Sequence, residues 1–376
     1  MAESTVETLR AEVVDELKRR FVGRDEVVDL IALAVVAGEH LFLYGPPGTA
    51  KSALIRAFAS AVRGKYFEYL LTRFSEPNEV FGPIDLVKLR EGAVATVTTG
   101  MLPEAEFAFL DELFNANSAI LNNLLTVLNE RVFRRGAEVH RLPLLSLFSA
   151  SNHLAEDEAL GALFDRFLLR CHVDQLRREA MPRLLAAGWA LEAVEDAATS
   201  VTASDLRALA GRVREVDLSG VTAPYAELVF KVRDLGVAIS DRRAVKMLKL
   251  LAASALLSGR EAANPSDLWV LRYVWDRVEQ IDPLAALVNS TLERHGDQPK
   301  AHPLAALPEA VNAEDLARQL EMAEAEVGRG PGSLVELARV REQVGLIADR
   351  VAWVGDDLAR NHLRDRVARL LARLGA

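Results

Sequence analysis

The sequence of 376 residues contains a single cysteine, Cys171. One thiol can form neither a disulfide within the chain nor a cysteine-based zinc site, which is typical of proteins from a reducing compartment. Long apolar stretches are also missing, because the longest clean run, residues 30–37, is far shorter than the ~20 residues that span a bilayer. The N-terminus has mixed charge and no apolar signal core. These absences predict a cytoplasmic protein without a membrane span.

An excess of positive charge is missing as well. Lys and Arg number 45 against 54 Asp and Glu, giving a formal net charge of −9. This balance excludes a generally basic nucleic-acid binder, although it does not exclude a local basic patch. Half of the residues are hydrophobic, so a core of ordinary size can form, and the length predicts two to three domains.

The pattern of apolar runs and helical stretches along the chain predicts where these domains lie. In residues 1–175 short apolar runs alternate with helical stretches, which indicates βαβ units and a mainly parallel sheet. The strand signal disappears in residues 176–293, where helix-start residues at Ser204, Ser240 and Asn264 and prolines at Pro224 and Pro265 predict an all-α domain. Residues 294–310 contain three prolines and are predicted to be a linker.

Residues 311–376 are predicted to form a three-helix bundle. The three helices are expected at about 313–327, 334–354 and 358–374. The middle one carries apolar residues at coiled-coil-like spacing: Leu337, Val340, Val344, Ile347, Val351 and Val354.

The strongest motif is a glycine-rich loop between a predicted strand and a predicted helix. It consists of Gly45, Pro46, Pro47, Gly48, Thr49, Ala50, Lys51 and Ser52, with Ala53 next in the helix. Such a P-loop wraps backbone N–H groups around phosphates at a helix N-terminus. Lys51 would bridge the β- and γ-phosphates, and the hydroxyl of Ser52 would hold Mg²⁺. Ala50 stands where glycine is usual; alanine avoids a strongly positive φ at little other cost, so we expect the P-loop to be retained.

Two further strands end in polar residues. The sequence FAFLDE at 107–112 predicts a buried strand that ends in Asp111 and Glu112, with this end of the strand beside the P-loop. Asp111 would order Mg²⁺, and Glu112 would orient or deprotonate the attacking water. The sequence LFSASN at 147–152 predicts another strand, after which Asn152 could contact the γ-phosphate or the water. Without the P-loop upstream, two acids at this place would more often cap the next helix.

Arginines supply the remaining candidates. A guanidinium stabilises charge on a transferring phosphoryl group, and Arg166 and Arg242 occupy suitable places at the end of the α/β region and at a helix start. Arg170 and Arg243 compete with them, and the sequence leaves the choice open.

In their order along the chain, the P-loop, FLDE, SASN, LFDRF and SDRR resemble an AAA+ ATPase. The stretches at 67–83, 98–112 and 120–136 resemble the MoxR group, specifically its RavA branch. The resemblance implies a three-layer αβα P-loop core with an all-α lid. It also implies that Asn152 is sensor 1, Arg166 the arginine finger, Arg242 sensor 2, and that Phe21 and Val22 line the adenine pocket.

The family resemblance further implies two hairpin insertions, at about 87–99 and 131–142, the second of which would present Arg131, Arg134, Arg135 and Arg141 as a basic ring in a hexamer. It implies a partner with a von Willebrand factor A (vWA) domain. The lysine decarboxylase contact of some RavA proteins is not expected, because the sequence has no room for the small β-rich insert that makes it.

The sequence therefore predicts an ATP-hydrolysing, Mg²⁺-dependent ring that remodels or assembles protein complexes. Two alternatives stay open: a nucleic-acid motor on the same core, suggested by the hairpin arginines, and a nucleotide-gated scaffold with little turnover.

Overall fold

The computed structural model describes residues 2–155, 158–176, 180–191, 199–306, 313–328 and 357–374, together with residues 340, 341, 344, 345, 347, 348 and 351. The chain folds into two compact units, residues 1–305 and 306–376. Among the described residues, no helix has the length and hydrophobicity needed to cross a bilayer.

Five parallel strands form the centre of the first unit, in the order β2-β3-β6-β1-β7. They are short apolar runs, buried on both faces as parallel strands usually are. A separate antiparallel pair is formed by β4 and β5. The strands are β1 (Leu41–Tyr44), β2 (Tyr66–Leu70), β3 (Phe107–Asp111), β4 (Val132–Arg135), β5 (Glu138–Arg141), β6 (Ser146–Ser151) and β7 (Leu169–His172).

Helices surround the sheet and complete the αβα layers of a P-loop AAA+ core. They are α1 (Ala2–Thr8), continued by a π-helical turn (Leu9–Val14), α2 (Asp15–Arg20), α3 (Asp25–Ala37), α4 (Lys51–Ala61), α5 (Pro77–Phe81), α6 (Leu86–Arg90), α7 (Ser118–Glu130), α8 (Glu158–Phe164) and α9 (Met181–Leu191). Short 3₁₀ turns lie at Leu102–Glu104 and Leu113–Asn115. The apolar α3 ends at Gly38, whose φ of 63° suits the left-handed cap.

The all-α part of the first unit follows α9. It comprises α10 (Ala203–Gly211), α11 (Ser219–Asp234), α12 (Asp241–Leu257) and α13 (Ile281–His295), with 3₁₀ segments at Arg212–Glu215, Pro265–Tyr273, Val278–Gln280 and Pro303–Ala305. Thr202, not Ser204, caps α10, and α11 begins before Pro224, which lies inside it. The side chain of Ser240 caps α12 by accepting from the N–H of Arg243.

Part of the expected linker is packed against the first unit. His302 is buried and its ring stacks on Trp269 with centroids 4.6 Å apart. Residues 307–310 of that segment lie outside the described residues.

The described part of the second unit is helical. It contains α14 (Ala313–Gly328), α15 (Asp357–Arg373) and helical residues between 340 and 351. Val340, Val344, Ile347 and Val351 of the predicted seam are buried in the core of this unit. Leu337 and Val354 of the same seam lie outside the described residues.

The two predicted insertions differ from each other in structure. The second is a hairpin, β4–β5, as expected. The first is not: it contains helix α6 and is closed by a single antiparallel bridge between Ile84 and Thr96. The expected strand pairing is wrong because Asp85 caps a helix by accepting from the N–H groups of Val87 and Lys88.

The basic ring expected on the second hairpin is also wrong in part. Arg131 turns inward and donates to the carbonyl oxygens of Gly38 (2.8 Å) and Leu145 (3.3 Å). Arg135 donates to Gly82 O and Asn78 Oδ1, at 2.9 Å each. Of the four arginines, only Arg134 and Arg141 are exposed.

Burial lowers the pKa of His302 to about 3, assisted by the charges of Lys18, Arg10 and Arg260. Between pH 6.5 and 3 the unfolded chain therefore binds a proton that the folded chain rejects, so the free energy of unfolding falls as the pH falls. We expect His302→Phe, which keeps the ring stacking, to flatten this dependence by up to ~1.4 kcal/mol per pH unit. Denaturant unfolding at several pH values between 7 and 5 measures how steeply the free energy of unfolding depends on pH. The exposed His295→Phe is the control, and equal slopes for wild type and His302→Phe would contradict the prediction.

Candidate functional site

The P-loop connects β1 to α4 and is clamped by the neighbouring strands. The N–H of Gly45 donates to Ser151 O at the end of β6, at 3.1 Å. A Cβ on Gly45 would lie 2.1 Å from Val173 O, just after β7, so no other residue fits there. The loop therefore sits at the edge where the parallel strands end, with its helix N-terminus available to an anion.

Lys51 lies within this loop. Its ammonium donates to Gly45 O (2.9 Å), Pro46 O (2.8 Å) and Thr49 Oγ1 (3.3 Å). Burial lowers the pKa of Lys51, while the charges of Asp111 and Glu112 oppose the shift. The ammonium is thus close to both the loop concavity and the acid pair.

Ala50 departs from the expectation for the loop. It adopts a left-handed backbone with φ 63° and ψ 23°, directly before α4. The loop keeps the geometry for which glycine is the usual residue, and alanine accepts a strain of about 1–2 kcal/mol. The prediction that Ala50 would avoid positive φ is wrong.

The acid pair lies at the end of β3. In the sheet, β6 lies between β3 and the P-loop strand β1, and all three strands end at the same edge. Asp111 Oδ1 accepts from the N–H of Glu112 at 3.0 Å. Burial raises the pKa of Asp111, partly offset by that N–H and by Lys51. Glu112 has φ 53° and ψ 48°, a strained conformation of the kind that clusters at functional sites.

Asn152 directly follows the strand between the P-loop and the acids. Ser151, its neighbour, holds Gly45, so Asn152 lies between the loop and the acid pair along the strand ends. His153 Nδ1–H donates to Asn152 Oδ1 at 2.8 Å. This contact leaves the amide N–H groups of Asn152 as donors for an anion or a water. Sequence reasoning missed the role of His153, because no motif marks a contact between adjacent residues.

The residues at this edge fit a magnesium–triphosphate complex. The hydroxyl of Ser52 and the carboxylate of Asp111 are oxygen ligands of the kind Mg²⁺ takes, and Mg²⁺ commonly uses one or two such groups plus phosphate oxygens and water. In the part of the chain that the structure describes, no group of three or more His, Cys, Asp or Glu could form an all-protein metal site.

A cavity of about 370 Å³ opens beside the P-loop. The predicted residues Phe21, Val22 and Ala53 line it together with Pro47, Gly48, Thr49 and Ala50. Sequence reasoning missed the rest of its lining: Arg20, Arg24, Gln175, Leu176, Met181, Leu184 and Gly188. Arg24 Nε donates to Thr49 O at 3.1 Å, which ties the segment after α2 to the loop. The size and the apolar walls of this cavity suit a nucleoside base.

Arg166 lies at the opposite edge of the sheet. It comes shortly before β7 begins at Leu169, whereas the P-loop follows the end of β1, and β1 and β7 are parallel with Leu41 opposite Leu169. At about 3.3 Å per residue, these four-residue strands separate the two edges by roughly 10 Å. Arg166 is partly buried and pairs with Asp165 at 3.0 Å.

Helix α12 brings Arg242 to this same edge. One and two turns beyond Arg242, Lys246 and Lys249 pair with Glu39, at 3.8 and 2.6 Å, and Glu39 lies just before β1 begins. The pKa of Lys246 is lowered by burial and by the charges of Lys249, Arg242 and Arg166, with Glu39 opposing. Arg242, Lys246, Lys249 and Arg166 therefore form one basic cluster, which we call the amino-edge cluster.

The two competing arginines are buried instead. Arg170 in β7 is 1% exposed and Arg243 is 3% exposed. Both donate to Asp276 Oδ1, Arg243 at 2.8 Å. Neither guanidinium is available to a nucleotide in this arrangement, whereas Arg242 is exposed.

This sheet order, the P-loop at its carboxyl edge and the helical part that follows define an AAA+ module. Residues 7–211 match the family model described as the MoxR domain in the MoxR–vWA–β-propeller ternary systems, and residues 226–288 match an AAA lid domain. The chain belongs to the MoxR family of AAA+ ATPases. The narrower expectation of the RavA branch stays a prediction.

The chain is also similar to individual proteins. The chain is 37% identical over 287 residues to the uncharacterized protein MJ0079 of Methanocaldococcus jannaschii, covering 76% of this chain and 74% of that protein. It is 29% identical over 163 residues to chaperone MoxR1 of Mycobacterium tuberculosis, covering 42% of each. A crystal structure of an ATPase candidate from Cytophaga hutchinsonii shares the fold, with a TM-score of 0.63 at 17% identity over 79% of this chain and 96% of that one.

Because Ala50 is strained, we expect Ala50→Gly to raise the free energy of unfolding. Glycine removes the strain of the left-handed backbone but loses more conformational entropy on folding than alanine does. The free energy of unfolding should therefore rise by about 0.5–1 kcal/mol. Ala226→Gly in the exposed interior of α11 is the matched control and should lower it by ~1 kcal/mol. Denaturant unfolding without nucleotide measures both, and equal losses for the two variants would count against the prediction.

Proposed function

We propose that this protein binds Mg-ATP and hydrolyses it at the interfaces of a ring, and uses the cycle to remodel or assemble protein complexes. One observation carries the proposal: the candidate phosphate-binding residues and the candidate arginines lie at opposite edges of one sheet. A single copy cannot apply both sets to one nucleotide, but adjacent copies can.

At the carboxyl edge, Lys51 and the P-loop N–H groups hold the β- and γ-phosphates, and the base enters the cavity beside Phe21 and Val22. When bound, Mg²⁺ supplies charge neutralisation at the phosphates, held by Ser52 and, through water, by Asp111. Glu112 orients or deprotonates the attacking water, and Asn152 donates to the γ-phosphate or to the water.

The amino-edge cluster of one copy serves the nucleotide of its neighbour. Arg166 provides the charge that stabilises the transferring phosphoryl group. Since Arg242 belongs to the same cluster, it acts on the same neighbouring nucleotide rather than on its own. In a closed ring of six copies, every interface contains one P-loop edge and one amino-edge cluster. The binding energy of Mg-ATP then sets the angle between the core and the helical lid.

The output of the cycle is proposed from family membership. The matching family is described by systems that also contain vWA and β-propeller proteins, and one relative is named a chaperone. A vWA-domain partner is therefore the expected co-component. The nucleic-acid motor keeps less support, because Arg131 and Arg135 are occupied within the protein and only Arg134 and Arg141 of the hairpin arginines are exposed. The scaffold with little turnover is distinguished by its rate of ATP hydrolysis.

Replacement of the proposed base tests the chemistry. We expect Glu112→Gln to bind ATP normally and to lose ~10²–10⁴-fold in kcat, while Lys51→Ala loses binding. Steady-state phosphate release and equilibrium binding measure the two effects. Glu215→Gln, on the exposed surface of the lid, is the control. Wild-type turnover in Glu112→Gln would refute the assignment, and negligible turnover in the wild type would favour the scaffold.

Subunit mixing tests the shared interface. Arg166→Ala should bind ATP but turn over at least ~100-fold more slowly, and mixing it with Lys51→Ala should restore activity, because each variant supplies what the other lacks. Mixing Arg166→Ala with Arg242→Ala should restore nothing, since both lesions lie on the same edge. Restored activity in the second mixture would place Arg242 on its own nucleotide.

A further inference from the structure

One carboxylate, Asp276, lies between two buried arginines in the first unit. Its Oδ1 accepts from Arg170 of β7 and, at 2.8 Å, from Arg243 of α12, while its Oδ2 accepts from the N–H of Ala238 at 2.6 Å. The group joins the sheet to the lid. Two buried guanidinium groups share one carboxylate that is itself 22% exposed, and a buried charge is costly unless it is paired and hydrogen-bonded.

Arg170 braces the turn that carries Arg166. Its guanidinium donates to Phe164 O at 3.0 Å and to Phe167 O at 3.1 Å, the carbonyls on either side of Arg166. It also lies over the ring of Phe164, 3.9 Å from the centroid. The position of Arg166 is thus set by Arg170.

Arg243 does the same for the start of α12. It is the residue after Arg242, and its guanidinium donates to Ala238 O (2.9 Å) and Val274 O (2.7 Å). Asp276 fixes the same segment from the other side through Ala238. The backbone that carries Arg242 is therefore held to Asp276 at two points.

We propose that Asp276 is a positioning residue that sets the spacing between Arg166 and Arg242, so that both reach one neighbouring nucleotide together. The inference rests on the proposed function, in which the amino-edge cluster acts across an interface. Asp276 touches neither nucleotide nor arginine finger; it acts through Arg170 and Arg243. A displacement of about 1 Å in such a constellation is enough to cost up to ~100-fold in rate.

The test is Asp276→Asn in the full chain, which keeps the shape and removes the charge. We expect kcat to fall ~10- to 100-fold while the affinity for ATP, measured with EDTA present, stays within about twofold, because the P-loop edge is unchanged. Mixing Asp276→Asn with Lys51→Ala should restore turnover, since the first supplies an intact P-loop and the second an intact amino-edge cluster. A purely structural role would not give this split or this rescue.

Asp276→Glu keeps the charge and shifts the carboxylate, so it should fold and still lower kcat. Asp267→Asn is the control: Asp267 lies in the lid, is fully buried and is paired with an arginine, Arg260, but it contacts no residue that positions Arg166 or Arg242. It should lower the thermal midpoint and leave kcat unchanged. Wild-type kcat in both Asp276 variants overturns the inference. The inference is also overturned if mixing with Lys51→Ala restores turnover to Arg166→Ala but not to Asp276→Asn. If neither is rescued, the shared interface itself fails.

Discussion

The direction of the parallel strands is the constraint on which the rest of this structure depends. All five strands begin at one edge and end at the other, so every residue that follows a strand lies on the same side. Gly45, Asp111 and Asn152 meet there although long segments of chain separate them. Every residue that precedes a strand, including Glu39 and Arg166, is held at the far edge. In the proposed function, a ring of copies joins the two sets.

At the carboxyl edge the chain must turn sharply out of each strand, and this need explains the strained residues. Ala50 and Glu112 both have positive φ, 63° and 53°. At Glu112 this conformation comes with local hydrogen bonds: its N–H donates to Asp111 Oδ1 at 3.0 Å, and its carbonyl accepts from the N–H of Asn115 at 2.9 Å. The P-loop is tied to the end of β6 through the N–H of Gly45, and the carboxylate of Glu112 accepts from Asn115 Nδ2 at 3.4 Å. Strain at these two positions is thus a consequence of packing loop and acid around one point.

What the sequence predicted well was local. GPPGTAKS and FAFLDE carry their own strand, turn and helix signals, so their elements followed from nearest neighbours. Three features depended on distant residues and were missed. The order of β6 and β1 is set by sheet assembly, the cavity wall at Leu176 and Met181 comes from a segment with no motif, and the burial of Arg170 and Arg243 depends on Asp276. An arginine beside a motif looks the same in sequence whether it faces a nucleotide or a buried carboxylate.

The buried arginines between sheet and lid are held at a cost in electrostatic free energy. Burial lowers the pKa of Arg170 to about 9, with the charge of Arg243 adding to the shift, so the cluster is held at an electrostatic cost. Well-packed apolar residues could join sheet and lid at least as stably. They would not fix the carbonyls of Phe164 and Ala238 by direction, as hydrogen bonds do. Glu39 and Lys249 repeat the pattern further along α12. In the proposed function, the directional ionic contacts of Arg243 and Lys249 tie the angle of the lid to the position of Arg242.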